Sequence, residues 1–197
     1  MPDMNVIKKT SSGYQSLSLD AILLDKRMIF LSGSITSVSV ELIIKQLLFL
    51  ESIDSREPVK LIINSPGGEV DAGLILYQQI KGMELPIQLY CMETAASMAA
   101  IIFAGGKYDR YILKSGRVMF HEPLITSTGN GMTSSASQVV RTAETILKTK
   151  RHLNELFAAD TRNNMEDIEK LAEKGDKWFT ANEAVTYGIC DAVVERL

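Results

Sequence analysis

The sequence predicts an α/β fold with a largely parallel sheet. Short apolar segments of strand character alternate with longer segments whose apolar residues recur at helical spacing. Turn-forming residues, among them Ser32-Gly33 and the run 64–68, separate these segments. Because active sites in such sheets collect at the carboxyl ends of the strands, the residues that follow each strand are the first candidates for chemistry.

The first half of the chain carries the alternation most clearly. The predicted order is a strand over 28–31, a helix over 40–50, a strand over 59–63, a helix over 74–80 and a strand over 87–91. The first of these helices is indicated by the spacing of apolar residues such as Val40, Ile43 and Leu47.

The second half departs from this order. Short strands are predicted over 111–113 and 118–120, around a Ser115-Gly116 turn. A polar, turn-rich segment over 126–131 follows, and it is either a mobile loop or a plain connector. A long helix is predicted over 137–159; because it breaks the strand–helix alternation, we expect it to pack against a partner subunit.

Composition favours one globular domain over residues 1–197, with 46% hydrophobic and 23% charged residues. A net charge of −3 argues against a nucleic-acid surface, and the basic residues Lys148, Lys150 and Arg151 are expected to form a solvated helix face. No apolar run reaches the roughly 18 residues of a membrane span. The first residues lack the features of a signal peptide, so we expect a cytoplasmic protein without nucleic-acid or membrane partners.

Cysteine and histidine are scarce. Cys91 and Cys190 both lie in apolar, strand-like contexts, which indicates buried thiols in a reducing compartment. With His121 and His152 as the two histidines, the sequence shows no cluster of metal ligands, and we expect neither a metal nor a cofactor.

Ser97 is the strongest candidate for a nucleophile. It lies among alanines in the run 94–100, between a predicted strand and a helix-like run over 101–103. Such a serine can expose its hydroxyl while backbone N–H groups approach a bound carbonyl. The alternative is a small residue at tight helix–strand packing. The G-x-S-x-G motif is not matched, because Ala95 and Ala99 occupy the glycine positions.

A serine nucleophile needs a base, and histidine is the usual one near neutral pH. His121 ends a predicted strand just before Pro123, which places it at the same sheet edge as Ser97; a purely structural role is the alternative. His152 lies within the long helix beside basic residues, and we expect it to be solvated.

The other parts of a hydrolytic site are less specific. The Gly67-Gly68 turn can present a backbone N–H to a developing oxyanion. A further residue must orient the imidazole, and the pattern alone does not choose among four late aspartates. They are Asp160, Asp167, Asp176 and Asp191.

Four motifs in order resemble those of the ClpP family, the serine peptidase core of bacterial and organellar ATP-dependent proteases. The resemblance covers about residues 26–192. The motifs are Ile62-Ile63-Asn64-Ser65-Pro66-Gly67-Gly68; Cys91-Met92 with Ala95-Ala96-Ser97-Met98; Arg117-Val118-Met119 with His121 and Pro123-Leu124; and Asp176 with Thr180-Ala181, Glu183-Ala184, Tyr187-Gly188 and Asp191.

The resemblance implies a role for each site residue. Ser97 is then the nucleophile, His121 the base and Asp176 the orienting acid, while Gly68 and Met98 donate the oxyanion N–H groups. The implied substrate-binding residues are Gly67, Val70, Leu124 and Ile125. Of these, Leu124-Ile125 pairs with extended substrate by strand addition.

The resemblance also implies the fold and the assembly. The fold is a ClpP/crotonase-like spiral of ββα units with a protruding handle over about 124–159, and residues 1–19 form an axial N-terminal segment. The handle joins two stacked heptamers. Unfolded polypeptides enter from a hexameric Clp-type AAA+ ATPase and are cleaved in the chamber.

Several positions depart from the family pattern. Gly175 stands where an arginine usually forms ion pairs across the ring–ring interface, which predicts a weaker or partner-dependent assembly. The run 14–19 lacks the family's charged pattern, and Leu61 and Ile63 stand where aromatic residues often line the ATPase-docking pocket. These differences leave the docking of an ATPase open.

Three functional hypotheses follow. The first is a self-compartmentalised serine endopeptidase, and the second is a divergent subunit that is active only with another ClpP-type chain. The third is a crotonase-type enzyme acting on acyl-CoA on the same fold. The third is disfavoured because no basic patch for the CoA phosphates is evident and the Ser/His/Asp set is not needed there.

Overall fold

The computed structural model describes residues 4–10, 13–123, 135–173 and 175–197. Nine strands and seven helices lie within these ranges. In chain order they are β1 (Asn5–Thr10), β2 (Gly13–Ser18), α1 (Leu19–Asp25), β3 (Met28–Ser32), α2 (Ser37–Ile53), β4 (Val59–Ser65), α3 (Val70–Gly82), β5 (Ile87–Ala96), α4 (Met98–Ala104), β6 (Arg110–Leu113), β7 (Arg117–Phe120), α5 (Ala136–Thr161), α6 (Met165–Glu173), β8 (Lys177–Thr180), α7 (Ala181–Tyr187) and β9 (Ala192–Val194).

Seven of the described strands form one sheet, and the α/β prediction is confirmed. The strand order is β3-β4-β5-β6-β9, with β7 paired to β5 and to β8. All of these pairs are parallel except β7–β8, which is antiparallel. Strands β1 and β2 form a separate antiparallel hairpin at the start of the chain.

Strand β5 organises the site because it pairs with two strands in succession. Its first half lies beside β6, with Leu89 to Cys91 in register, and its second half lies beside β7. The last registered pair is Ala96 with Met119. Since the two strands are parallel, the residues that follow them emerge at the same edge of the sheet.

The sequence placed the end of β5 five residues too early, at Cys91 rather than Ala96. The extension contains Glu93 and Thr94, which a search for apolar runs does not recognise as strand. Their backbone is held by β7, and Thr94 pairs in register with Arg117. A partner that lies far away in the sequence therefore decides the local structure here.

The core lies between the sheet and the helices that pack against it. Helix α2 buries Val40, Ile43, Leu47 and Leu50, in agreement with the predicted helical spacing. Helix α4 is buried along its whole length, since all seven of its residues lie in the core. This places the start of α4, directly after Ser97, in a rigid part of the molecule.

Two expectations about apolar residues need correction. Leu61 and Ile63 are fully buried side chains of strand β4, so the positions compared with an ATPase-docking pocket lie in the core of this chain and not at its surface. Cys190 is buried as expected, but it lies in the loop after α7 rather than in a strand. Cys91 is buried in β5, and both thiols are free.

Helix α5 has two halves of different character. Residues 136–145 are all exposed, whereas Leu153, Phe157 and Ala158 near its end are buried. The long helix predicted over 137–159 is therefore confirmed, and its first half projects from the body of the molecule. Within the described ranges, none of the helices combines the length and the apolar character needed to cross a bilayer.

Candidate active site

Ser97 occupies the sharp turn between β5 and α4. Its backbone has φ 55° and ψ −124°, a region that residues other than glycine rarely adopt. The turn is fixed because the Ser97 N–H donates to the Met119 carbonyl at 2.9 Å. Although Ser97 stands at the N-cap position of α4, its side chain makes no capping hydrogen bond. The hydroxyl is therefore available for another partner.

That partner is His121. The Ser97 Oγ lies 2.8 Å from the His121 Nε2, within hydrogen-bond distance. His121 follows the end of β7 and Ser97 follows the end of β5, so the parallel register of the two strands brings them together. The His121 side chain is only 11% exposed, which limits competition from water for this contact.

Asp176 lies on the other side of the imidazole. Its Oδ1 is 3.4 Å from the His121 Nδ1, a longer separation than that of Ser97 from His121. The antiparallel register of β7 with β8 pairs Phe120 with Lys177, which places the residue before Lys177 opposite His121. The Asp176 side chain is 62% exposed, so this contact is open to solvent.

The other late aspartates have different partners. Asp160 accepts hydrogen bonds from Tyr77 and Lys81, Asp167 contacts Asn164, and Asp191 pairs with Arg110. These contacts distinguish Asp176 from the other three aspartates, which the residue pattern alone could not do. His152 is exposed on α5, as expected.

The turn containing Gly67 and Gly68 lies directly beside Ser97. Gly67 has φ 94°, and a Cβ on it would lie 2.7 Å from the Ser97 Cβ and 3.0 Å from the Met98 amide nitrogen. Gly68 forms a bridge to Ile35, and a Cβ there would lie 2.2 Å from the Ile35 carbonyl oxygen. Only glycine allows such close approach at these two positions.

Buried polar contacts hold this turn in place. The Ser65 hydroxyl donates to the Gly33 carbonyl at 2.6 Å and accepts from the Gly67 N–H at 3.1 Å. The Gly67 carbonyl accepts from the Ile35 N–H at 2.8 Å. Sequence reasoning gave Ser65 no role; its place in the motif before Gly67 was the available signal.

Backbone N–H groups are available near the Ser97 hydroxyl. Met98 is the first residue of α4, where an N–H has no acceptor within its own helix. Its side chain is buried against α3, since a Cβ on Gly73 would lie 2.1 Å from the Met98 Cγ. The Met98 amide is thus rigidly placed next to the nucleophile candidate, as an oxyanion donor must be.

A small pocket of about 20 Å³ adjoins Ser97 and His121. Its walls are mainly apolar and come from Val70, Met98, Ile101, Phe120, Pro123 and Leu153. Val70, a predicted substrate-binding residue, therefore borders the site. Leu124 and Ile125, the other two predicted beyond the glycine turn, lie outside the described residues.

The cysteines are poor alternatives as nucleophiles. Burial is the main cause that raises the pKa of both the Cys91 and the Cys190 thiol to about 12. Both remain protonated at neutral pH, and the thiol is a much weaker nucleophile than the thiolate. Among the described residues, no group of three or more His, Cys, Asp or Glu side chains could hold a metal ion.

Lys150 was expected on a solvated face, and the structure shows otherwise. Its ammonium group lies 2.5 Å from the Glu122 carboxylate, and its side chain is only 22% exposed. Lys148 and Arg151 are exposed as expected. This ion pair could not be predicted from the sequence, because Glu122, which follows β7, and Lys150, within α5, are far apart along the chain.

Comparison with known proteins identifies the family of the chain. A family model described as Clp protease matches residues 11–197. The chain belongs to the Clp protease family. Membership supports a ClpP-type peptidase, which is a serine hydrolase, and in general it implies oligomeric assembly with Clp ATPases.

The Clp protease match extends almost to both ends of the chain and includes Ser97, His121 and Asp176. The match begins at residue 11 and so leaves out strand β1.

Proposed function

We propose that this Clp protease family chain is a serine endopeptidase in which Ser97 is the nucleophile. The observation that carries the proposal is the 2.8 Å contact between the Ser97 Oγ and the His121 Nε2 at a strained strand–helix turn. A nucleophile and a base within hydrogen-bond reach, with a third group behind the base, form the basic arrangement for acyl transfer.

The proposed reaction begins when the Ser97 Oγ attacks the carbonyl carbon of a peptide bond. His121 Nε2 takes the hydroxyl proton, and the carbonyl oxygen becomes an oxyanion that the Gly68 and Met98 N–H groups stabilise. His121 then gives the proton to the leaving amine, and an acyl-enzyme remains. Water, deprotonated by His121, hydrolyses this ester and frees Ser97. Asp176 orients the imidazole throughout.

Assembly determines the proposed substrate class. We expect two stacked heptamers to enclose the active sites, so that unfolded polypeptides delivered by a hexameric Clp-type ATPase are cleaved and folded proteins are excluded. Family membership supports this, and so does the exposed first half of α5, which carries the exposed apolar residues Val139, Val140 and Leu147. Residues 1–19 are then the axial segment, about 124–159 the handle, and the cytoplasm the expected location.

The test is peptide hydrolysis by the wild type and by Ser97→Ala. Ser97→Ala removes the attacking oxygen, and we expect the rate to fall to background. Ser115→Ala is the matched control, because Ser115 is an exposed serine in the turn between β6 and β7, and it should retain full activity. Equal activity of Ser97→Ala and wild type would overturn the assignment.

A second candidate is a subunit that becomes active only with another ClpP-type chain. The specific observation is the exposed Asp176, at 3.4 Å from His121, directly after Gly175 with φ 87°. A neighbouring chain that covers Asp176 would shield this contact from water and strengthen it. Native mass spectrometry combined with peptidase assays, with and without a second ClpP-type subunit, separates the candidates. A stable homo-oligomer that cleaves peptides rules out the second.

A further inference from the structure

Three side chains of helix α5 lie on one helix face, directed at the end of strand β7. They are Lys150, Leu153 and Phe157, whose spacings of three and four residues place them in line along the helix. Each contacts the segment 120–123 or the pocket beside it. Through these partly or fully buried side chains, the second half of α5 therefore packs against the segment that contains His121.

The contact before His121 is aromatic. The Phe120 and Phe157 rings stack with their centroids 4.2 Å apart and their planes within 6°. Both side chains are essentially fully buried, at 2% and 0% exposed. Leu153 adds a second apolar contact, since it borders the pocket that Ser97 and His121 share. These contacts fix the backbone on the amino side of His121.

The contact after His121 is ionic. The Glu122 carboxylate lies 2.5 Å from the Lys150 ammonium, with side-chain exposures of 38% and 22%. A partly buried pair is less screened by solvent than a pair on the open surface. Pro123 follows and restricts the backbone further. The carboxyl side of His121 is thus tied to α5 by a charged contact.

The His121 imidazole has one close polar contact and one longer one, so its orientation depends on further contacts. The Ser97 Oγ is at 2.8 Å, whereas Asp176 is at 3.4 Å and largely exposed. The orientation of the imidazole must then come in part from the backbone on either side. A displacement of about 1 Å at a reacting group can lower a rate by roughly 100-fold.

We infer that Lys150 and Glu122 are positioning residues that clamp the segment after His121 to helix α5 and so hold the imidazole in line with Ser97. The inference rests on the proposed function. It assigns a task to the acceptor oxygen of Glu122 and to a lysine that neither contacts the nucleophile nor belongs to the triad. We expect the pair to act on the alignment of His121 rather than on substrate binding.

The experiment measures kcat and KM for peptide hydrolysis by the assembly that is active, alone or with a second subunit. Lys150→Met keeps the aliphatic stem and removes the charge, while Glu122→Leu removes the acceptor. For each we expect kcat to fall about tenfold and KM to stay within about twofold of wild type, since alignment rather than binding is lost. The double variant should be no slower than either single variant, because both changes break one contact.

Conservative and matched variants separate a positioning role from a structural one. Glu122→Gln keeps an oxygen acceptor for the lysine, so we expect kcat within about threefold of wild type. Lys170→Met breaks the exposed Lys170–Glu166 pair on α6 and should leave kcat unchanged. Circular dichroism and native mass spectrometry report folding and assembly of each variant, and Glu122→Leu replaces Lys150→Met if the latter does not fold.

The outcomes distinguish failure of the inference from failure of the proposed function. If the wild type is active and folded Lys150→Met keeps its kcat within about twofold, the positioning inference is overturned and the peptidase assignment stands. Additive losses in the double variant also overturn it. If Ser97→Ala is as active as the wild type, the proposed function itself fails.

Discussion

Ser97 holds a backbone conformation that is unfavourable by about 1–3 kcal/mol for a residue other than glycine. The turn persists because its N–H bonds to Met119 and because the helix that follows is buried throughout. The Ser97 hydroxyl does not make the N-cap hydrogen bond that a serine at this position usually makes. The strain thus accompanies an available nucleophile rather than a helix cap.

At the residue scale, the first prediction concerns Gly67. Gly67→Ala places a methyl group 2.7 Å from the Ser97 Cβ at φ 94°, so the turn must shift away from Ser97. We expect peptide hydrolysis to fall by roughly 100-fold, the scale of losing one oxyanion donor. Steady-state kinetics with short peptides measures this.

Gly82→Ala is the control for Gly67→Ala. Gly82 ends helix α3, and a Cβ there meets no atom within 4 Å. This substitution should leave hydrolysis unchanged. If Gly67→Ala hydrolyses peptides as fast as Gly82→Ala, the role assigned to the glycine turn is wrong.

The identities of the Ser97 and His121 candidates could be predicted from the sequence because each is rare or unusual in its setting. Two histidines leave few choices, and a serine among alanines between a strand and a helix is conspicuous. The Glu122–Lys150 pair could not be predicted, because neither residue is unusual and the contact depends on where α5 packs. The residue pattern alone left Asp176 ambiguous among four aspartates; the family resemblance implied it, and the β7–β8 register places it opposite His121.

At the scale of elements, the junction between β6 and β9 is held by a partly buried arginine and a carboxylate. Arg110 donates to both carboxylate oxygens of Asp191, at 2.7 and 3.0 Å, and its backbone N–H donates as well, at 2.8 Å. Burial raises the pKa of Asp191, but the hydrogen bonds and the charge of Arg110 outweigh burial and lower it overall. Folding therefore favours the ionised carboxylate.

The lowered pKa of Asp191 determines how its contribution to stability depends on pH. Because the folded-state pKa of Asp191 lies below its unfolded value, its contribution is fully present above the unfolded pKa, about 4. The contribution is lost as the pH falls through the folded pKa. We expect the wild type to lose more free energy of unfolding than Asp191→Asn between about pH 6 and pH 3. Urea denaturation at several pH values measures this difference, and equal slopes would contradict the assignment.

The strands and helices differ in how well they could be predicted from the sequence. The buried parallel strands and α2 were predicted because their apolar patterns are strong. Helices α1, α6 and α7 and the β1–β2 hairpin were not predicted, since each consists of short elements of nine residues or fewer. The predicted strand over 87–91 was too short because the last residues of β5 depend on pairing with β7.

At the scale of the whole molecule, helix α5 links the proposed assembly to the catalytic centre. Its first half is exposed and carries Val139 and Val140, which are 57% and 56% exposed. Its second half contacts Phe120 and Glu122, the residues on either side of His121. One helix therefore exposes apolar residues that suit the proposed assembly and packs against the proposed active site.

The corresponding prediction is that charges on the exposed half of α5 weaken assembly. Replacing both Val139 and Val140 by Asp would require two carboxylates to be buried in the proposed ring–ring contact, which is costly. We expect native mass spectrometry to show single rings or smaller species in place of stacked rings. Asp substitution of Thr142, an exposed polar residue on the same helix, should be tolerated better. Unchanged assembly of the double Asp variant would contradict the role given to α5.

The most direct test of the central claim is to locate the covalent adduct of a fluorophosphonate by peptide mass spectrometry. Such a reagent reacts with a serine oxygen that an adjacent base activates, and the Ser97–His121 geometry supplies that activation. We expect a single adduct on Ser97, in the chain alone or in its mixed assembly, and none in Ser97→Ala. An adduct on another serine, or none on Ser97 in an assembly that hydrolyses peptides, would contradict it.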